Sequence, residues 1–168
     1  MDEMMMISLG GRHVDATIEV HDLQFVVAPA IEETFPLLEE IWYGQVDRLH
    51  VDTYKKLRGA DGYAIELKDT PQEREVDLYL ANVGGYVPAF FGEVHQVGLF
   101  VVESEKAAKK RALTDLLDGA DLKHVDNVYT VQDKLVTLDG STKYIHLTPT
   151  GDPYDLKPDW NGFMRLRK

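Results

Sequence analysis

Cysteine is absent from this 168-residue chain. That excludes disulfides, thiolate metal sites and cysteine nucleophiles, and leaves nitrogen and oxygen as the ligands for any metal. Serine is scarce, and Ser8, Ser104 and Ser141 all lie outside any Gly-x-Ser-x-Gly elbow, so serine hydrolase chemistry has no support. No apolar run approaches the ~20 residues that cross a bilayer, and the start "MDEMMMISLGG" is acidic where a signal peptide would be basic. A cytoplasmic protein is expected. Basic residues are outnumbered, 18 Lys and Arg against 29 Asp and Glu, for a net charge of -11. Such a charge repels phosphate backbones and anionic lipid, so neither a nucleic-acid nor a membrane partner is expected. What is present is 44% hydrophobic content, enough for one compact domain or for two small halves sharing a core.

The chain echoes itself. At an offset of 74, Gly10-Gly11 aligns with Gly84-Gly85, Glu19-Val20-His21 with Glu93-Val94-His95, Val27 with Val101, Asp47 with Asp121, and His50-Val51-Asp52 with His124-Val125-Asp126. These are ten identities across residues 6 to 54 without a gap, where ordinary residue frequencies give about three. We read tandem repeats over 4–69 and 76–149, followed by a tail over 150–168 that packs on the domain. The retained residues are mostly Gly, His, Asp and Glu. Duplicated core positions would instead drift among apolar residues of similar size.

Each repeat reads as a β-β-α-β(-β) unit, giving an α+β fold, mainly antiparallel, with helices on one face. "MMMISL" and "VDLYLANV" are first strands that the Gly-Gly pairs are expected to end, either by turning or by packing closely against each other. "LQFVVA" and "VGLFVVE" are second strands. A helix follows from Ile31 through Phe35, Leu38 and Trp42 to Gly44, with Pro36 kinking it or marking its true start. Its counterpart begins at the N-cap Ser104, carries Ala108, Ala112, Leu113 and Leu116 as an apolar stripe, and stops at Gly119. "YAIELK" and "KYIHLT" are last strands. In the tail, Tyr154, Trp160 and Phe163 are the expected anchors.

Residues i and i+2 of an extended chain face the same side, so Glu19 points with His21, and His50 with Asp52. The second repeat offers Glu93, His95, His124 and Asp126 in the same way. His21, His50 and Asp52, with His95, His124 and Asp126, are the candidate metal ligands. Two imidazoles with one or two carboxylates suit a divalent metal such as zinc, manganese or iron, provided the pairs converge. Glu19, Glu93 and Asp22 complete the candidate ligand-binding group, although Asp22 has Gln96 as its counterpart. The same pairs can instead act as hydrogen-bonded braces, or carry acid–base work on a small-molecule ligand in a pocket. The Gly-Gly pairs lead into extended chain and not into a helix N-terminus, which argues against a phosphate loop. Tyr86, Phe90 and Phe91 could line a pocket beside Glu93 and His95, or pack in a core. Glu32, Glu33, Glu39 and Glu40 on one helix complement Lys106, Lys109, Lys110 and Arg111 on the other, which suits a homo-oligomer with a salt-sensitive contact.

Taken together, "LGGR" at Leu9, "IEVHD" at Ile18, "LHVD" at Leu49 and "DGYAIEL" at Asp61, with "VGGY", "GEVHQ" and "KHVD" in the second repeat, resemble a bacterial family known only as a domain of unknown function. It occurs as one or two copies per chain. The resemblance covers nearly everything except the tail. It implies the duplicated architecture and no particular activity, cofactor or substrate.

Overall fold

The structure is a computed structural model describing residues 2–167. It is a mixed α+β protein with mainly antiparallel sheets and two α-helices among the described residues. In chain order the elements are β1 (Glu3–Arg12), β2 (Val20–Ala28), α1 (Phe35–Ile41), β3 (Gln45–Lys56), β4 (Gly59–Ala60), β5 (Tyr63–Lys68), β6 (Asp77–Tyr86), β7 (Glu93–Val102), α2 (Glu105–Asp115), β8 (Asp121–Thr130), β9 (Leu135–Thr137), β10 (Tyr144–Pro149) and β11 (Trp160–Arg165). One sheet has the order β11-β3-β1-β2-β9, a second β7-β6-β8, and a third β10-β5-β4. Among the described strands only β2 and β9 pair in parallel. No helix among the described residues is long and apolar enough to cross a membrane.

The central strands β1 and β6 are framed alike. β1 lies between β2 and β3, and β6 between β7 and β8. Alternation then divides each central strand between two environments. Met5, Ile7 and Leu9 pack with Val26, Leu38 and Trp42 beneath α1. Tyr79, Ala81 and Val83 pack with Phe100, Ala108 and Ala112 beneath α2. The opposite faces contribute Met4, Leu78 and Leu80 to a third cluster with Phe25, Ile65, Ile145 and Leu147. That cluster joins the two halves, and β5 and β10 seal it by pairing with each other, Ile145 opposite Leu67 and Leu147 opposite Ile65.

Several expectations are corrected. The Gly-Gly pairs do not end their strands: β1 runs on to Arg12 and β6 to Tyr86. Nor do they pack against each other. Gly11 lies under the Trp42 ring, with 2.8 Å between Trp42 Cζ2 and the place where a Cβ would sit. The first helix starts later than Ile31, with a 3-10 turn over Ile31–Thr34 and then α1 with Pro36 in its opening turn, where a missing N–H is harmless. α2 starts as expected, the Ser104 side chain accepting from the Ala107 N–H at 3.2 Å. It ends at Asp115 because Leu116 is extended and Leu117 takes φ 49°, ahead of Gly119. Leu113 is 37% exposed and outside the buried stripe of Ala108, Ala112 and Leu116, which recurs at every fourth residue.

In the tail, β11 pairs with β3, the Trp160 ring stacks on Tyr54, and Tyr154 packs over Gly59. Several helix charges are used within the chain: Glu39 pairs with Arg167, Lys109 with Glu105, and Arg111 with Asp61 and Asp115.

Candidate metal centres

The two faces of β1 decide where the polar residues gather. Met4, Met6, Ser8, Gly10 and Arg12 share one face by parity, so the strand passes from the inter-half core to a groove and then to Gly10. Gly10 is paired on one side with His21 and on the other with His50. Gly84 on β6 is paired in the same way with His95 and His124. Two imidazoles thus flank a residue without a side chain. The carboxylates arrive by two further devices. Glu19 and Glu93 stand two residues before His21 and His95. Asp52 and Asp126 are the unpaired residues of β-bulges, for Ser8 opposes Thr53 while Leu9 opposes Val51, and Asn82 opposes Asn127 while Val83 opposes Val125. A bulge bends the strand and re-aims its side chains.

At the first centre, His21 Nε2 lies 3.3 Å from Glu19 Oε1 and 3.5 Å from Asp52 Oδ2. His50 Nε2 lies 3.4 Å from the same Glu19 oxygen and 3.2 Å from Asp52 Oδ1. At the second, His95 Nε2 lies 3.3 Å from Glu93 Oε2 and 3.2 Å from Asp126 Oδ2, while His124 Nε2 lies 2.7 Å from Glu93 Oε1 and 3.2 Å from Asp126 Oδ1. Ligand atoms of Glu19, His50 and Asp52 all fall within 4.8 Å of one another, as do those of Glu93, His95 and Asp126. Glu19 and Glu93, which the sequence placed outside the metal ligands proper, therefore stand among them.

Three details fit these groups to a cation. His50 Nδ1 lies 3.0 Å from the Arg48 carbonyl, and His124 Nδ1 3.0 Å from the Leu122 carbonyl. A proton donated there fixes the tautomer and leaves Nε2 with a free lone pair facing the carboxylates, the usual support of a metal-bound histidine. The buried Glu93 Oε1 has no hydrogen-bond partner although His124 Nε2 is so close. An oxygen so placed calls for a proton on that ring or for a cation that takes both atoms as ligands. Finally, a Cβ on Gly10 would stand 2.5 Å from His50 Nε2 and 2.8 Å from Asp52 Oδ2, and one on Gly84 would stand 2.6 Å from Glu93 Oε1 and 2.8 Å from Asp126 Oδ2. Each glycine keeps the seat between the ligands open.

The centres differ in access. His50 is 3% exposed and His124 46%. The Phe163 ring on β11 covers His50 at 4.1 Å between centroids, whereas β8 is an edge strand. The Leu122 carbonyl, followed by the charges of Glu93 and Asp126, raises the His124 imidazole above its ordinary range.

Asp22 is not part of either centre. Its carboxylate accepts from the Leu23 N–H at 2.8 Å and from Gln24 at 2.6 Å. It lines instead a groove of about 960 Å³ between the halves, bordered by His21 and His95 and by Met6, Leu80, Ser8 and Asn82. Burial, and then the Asp22 charge, pushes the Tyr129 phenol in this groove up to about 12, so it stays neutral. Phe90 and Phe91 are 68% and 108% exposed, at the surface and not packed in a core, while the Tyr86 ring lies 6.5 Å from that of His124. Gly10, Gly84 and Phe163 are the site residues that sequence reasoning missed. The repeated glycines were the available signal.

An α+β protein carrying histidine–carboxylate clusters under its central strands is the class that fold and site define. Within it, the chain belongs to the family described as Domain of Unknown Function (DUF1543), whose model matches residues 16–67, a span holding Glu19, His21, His50 and Asp52. It is similar over its whole length to a solved structure described as the crystal structure of a protein Il1583 from Idiomarina loihiensis, with 32% identity, a TM-score of 0.76 and 100% of each chain covered. None of the curated proteins compared matches the chain.

Proposed function

We propose that this protein binds divalent cations at two equivalent centres, one in each half of an internally duplicated chain with repeats over 4–69 and 76–149. The observation that carries the reading is the seat above Gly10 and Gly84, where any side chain would strike two or more ligand atoms. Two imidazoles and two carboxylates select zinc, manganese or iron(II) over calcium or magnesium. A bound cation would act as a Lewis acid, or lower the pKa of a bound water. His50 and His124 would hold it through Nε2 with Nδ1 anchored on the backbone, while the carboxylates balance its charge. The groove bordered by His21 and His95 is the place for a small-molecule ligand.

The test is uptake by tag-free protein stripped with chelator. Two equivalents are expected, with a saturable rise in Tm, falling to one equivalent in His21→Ala/His50→Ala. Failure of zinc, manganese and iron(II) alike to raise Tm would reject the reading.

A second reading is self-association, with the clusters serving only as braces. It is favoured by the open edges of the β7-β6-β8 sheet and by Leu122, 80% exposed on one of them. Concentration-dependent sedimentation that is unaffected by chelator would support it.

A further inference from the structure

The first centre has neighbours that the second lacks. A small cavity of about 120 Å³ opens beside Glu19 and His50, and Arg12, Arg48 and Arg165 line it. Parity and pairing bring them there: Arg12 follows Gly10 by two residues on β1, Arg48 precedes His50 by two on β3, and Arg165 is the cross-strand partner of His50 on β11.

In a chain with so large an excess of carboxylates, these arginines are poorly partnered. Arg58, Arg74, Arg111 and Arg167 each hold a carboxylate at 2.5–2.7 Å. Among the described residues Arg12 and Arg165 pair with no carboxylate; Arg165 lies over the Phe163 ring at 5.9 Å, and Arg48 reaches only Asp47, at 3.5 Å. At the second centre Tyr86 stands for Arg12 and Leu122 for Arg48, and no described strand occupies the position of β11.

We propose that this cavity binds a phosphoryl group, free or at the end of a small monoester, against the cation of the first centre. The proposal rests on the two-cation reading. A guanidinium presents donors in a planar fork that matches phosphate oxygens, and forks from three strands suit a tetrahedral group better than a planar carboxylate. The volume admits one phosphoryl group and leaves a base or a sugar outside. Glu19 and Asp47 also line the cavity, so without a cation two carboxylates oppose the three arginines. With the cation in place the balance turns clearly positive, and phosphate binding is expected to strengthen on metal loading by on the order of tenfold or more.

The experiment titrates full-length, manganese-loaded protein by calorimetry with inorganic phosphate, glycerol 2-phosphate and acetate. Saturable binding of either phosphate, at least about tenfold tighter than acetate, is expected. It should persist in His95→Ala/His124→Ala, which leaves only the first centre. In Arg12→Ala/Arg165→Ala it should weaken at least about tenfold while manganese uptake stays at two equivalents. Equal phosphate affinity in the arginine variant, acetate binding as tightly as phosphate, or loss of the response in the second-centre variant would each overturn the proposal. Should the stripped protein take up none of manganese, zinc and iron(II), the two-cation reading fails by itself. Phosphate titration of the metal-free wild type against the arginine variant then decides the cavity separately, a difference upholding it and no difference rejecting it.

Discussion

At the scale of single residues, the glycines of the centres make sharper claims than the histidines. Removing a ligand can disturb a fold through lost hydrogen bonds as well as through lost metal. Adding a methyl group at Gly10 or Gly84 keeps every ligand residue in the chain but fills the seat between them, so the ligand ends of the side chains must swing aside. Gly10→Ala and Gly84→Ala should each lower cation uptake from two equivalents to one. The metal-free Tm should move little, because Ala is favoured over Gly in a strand by roughly 0.5–1 kcal/mol, which offsets part of the crowding. Mass spectrometry under native conditions reads the stoichiometry directly. Retention of two equivalents in both variants would dismiss the seat.

His124 supplies the pH dependence. Its folded-state pKa is raised, so its contribution to the metal-free fold is fully present below the unfolded pKa and is lost as pH rises through the folded value. Metal binding needs the neutral ring and runs the other way. Affinity at the second centre should therefore keep climbing with pH past the ordinary histidine value of about 6.5 and level off only above the raised pKa of His124. In His21→Ala/His50→Ala, where only that centre remains, titrations at three pH values across neutrality should show it. A flat profile would contradict the role given to Nε2 of His124.

At the scale of elements, the joint between the halves rests on one aspartate as well as on the shared core. Asp61 accepts from the Val101 N–H at 2.9 Å and from Arg111 at 2.6 and 3.0 Å, and holds φ at 51°. Charged hydrogen bonds contribute about 1.5–3 kcal/mol each, so Asp61→Ala should cost about 2 kcal/mol or more in denaturant unfolding. Asp61→Asn should cost less, because asparagine tolerates the left-handed backbone and keeps an acceptor. Equal losses would assign the effect to the carboxylate charge, which both variants remove, and not to the backbone or the acceptor.

Legibility at this scale followed the range of the interactions. Local periodicity and capping chemistry exposed β2, β7 and the start of α2 at Ser104, since their signals lie within a few residues. The meeting of Glu19, His21, His50 and Asp52 could be suspected because polar identity was kept at a fixed offset. The pairing of β5 with β10, the parallel strand β9 and the attachment of β11 to β3 are long-range choices with no local mark. The Gly-Gly pairs misled for a physical reason: glycine most often signals a turn, and only the cross-strand neighbours show that these lie flat beneath a cluster.

At the scale of the whole molecule, the asymmetry of the centres comes from the tail. β11 covers the β3 edge and lays Phe163 over His50, and it is tied down by Asp159 accepting from the Lys56 N–H at 2.6 Å, by Thr53 donating to the Trp160 carbonyl at 2.8 Å and by the Arg167–Glu39 pair. No described strand covers β8 in this way. An apolar cover limits solvent access to a metal and with it the release of the ion. Cation release into excess chelator should therefore be biphasic in the full chain, with a slow phase from the first centre and a fast one from the second. Deleting residues 159–168 should abolish the slow phase, leave the fast rate within about twofold, and lower Tm through the lost strand pairing. Phe163→Ala keeps the strand and removes the ring, so it should accelerate the slow phase with a smaller change in Tm. A single phase in the full chain, or a slow phase that survives deletion, would mean that the tail does not distinguish the two centres and that the difference in exposure between His50 and His124 has no bearing on exchange.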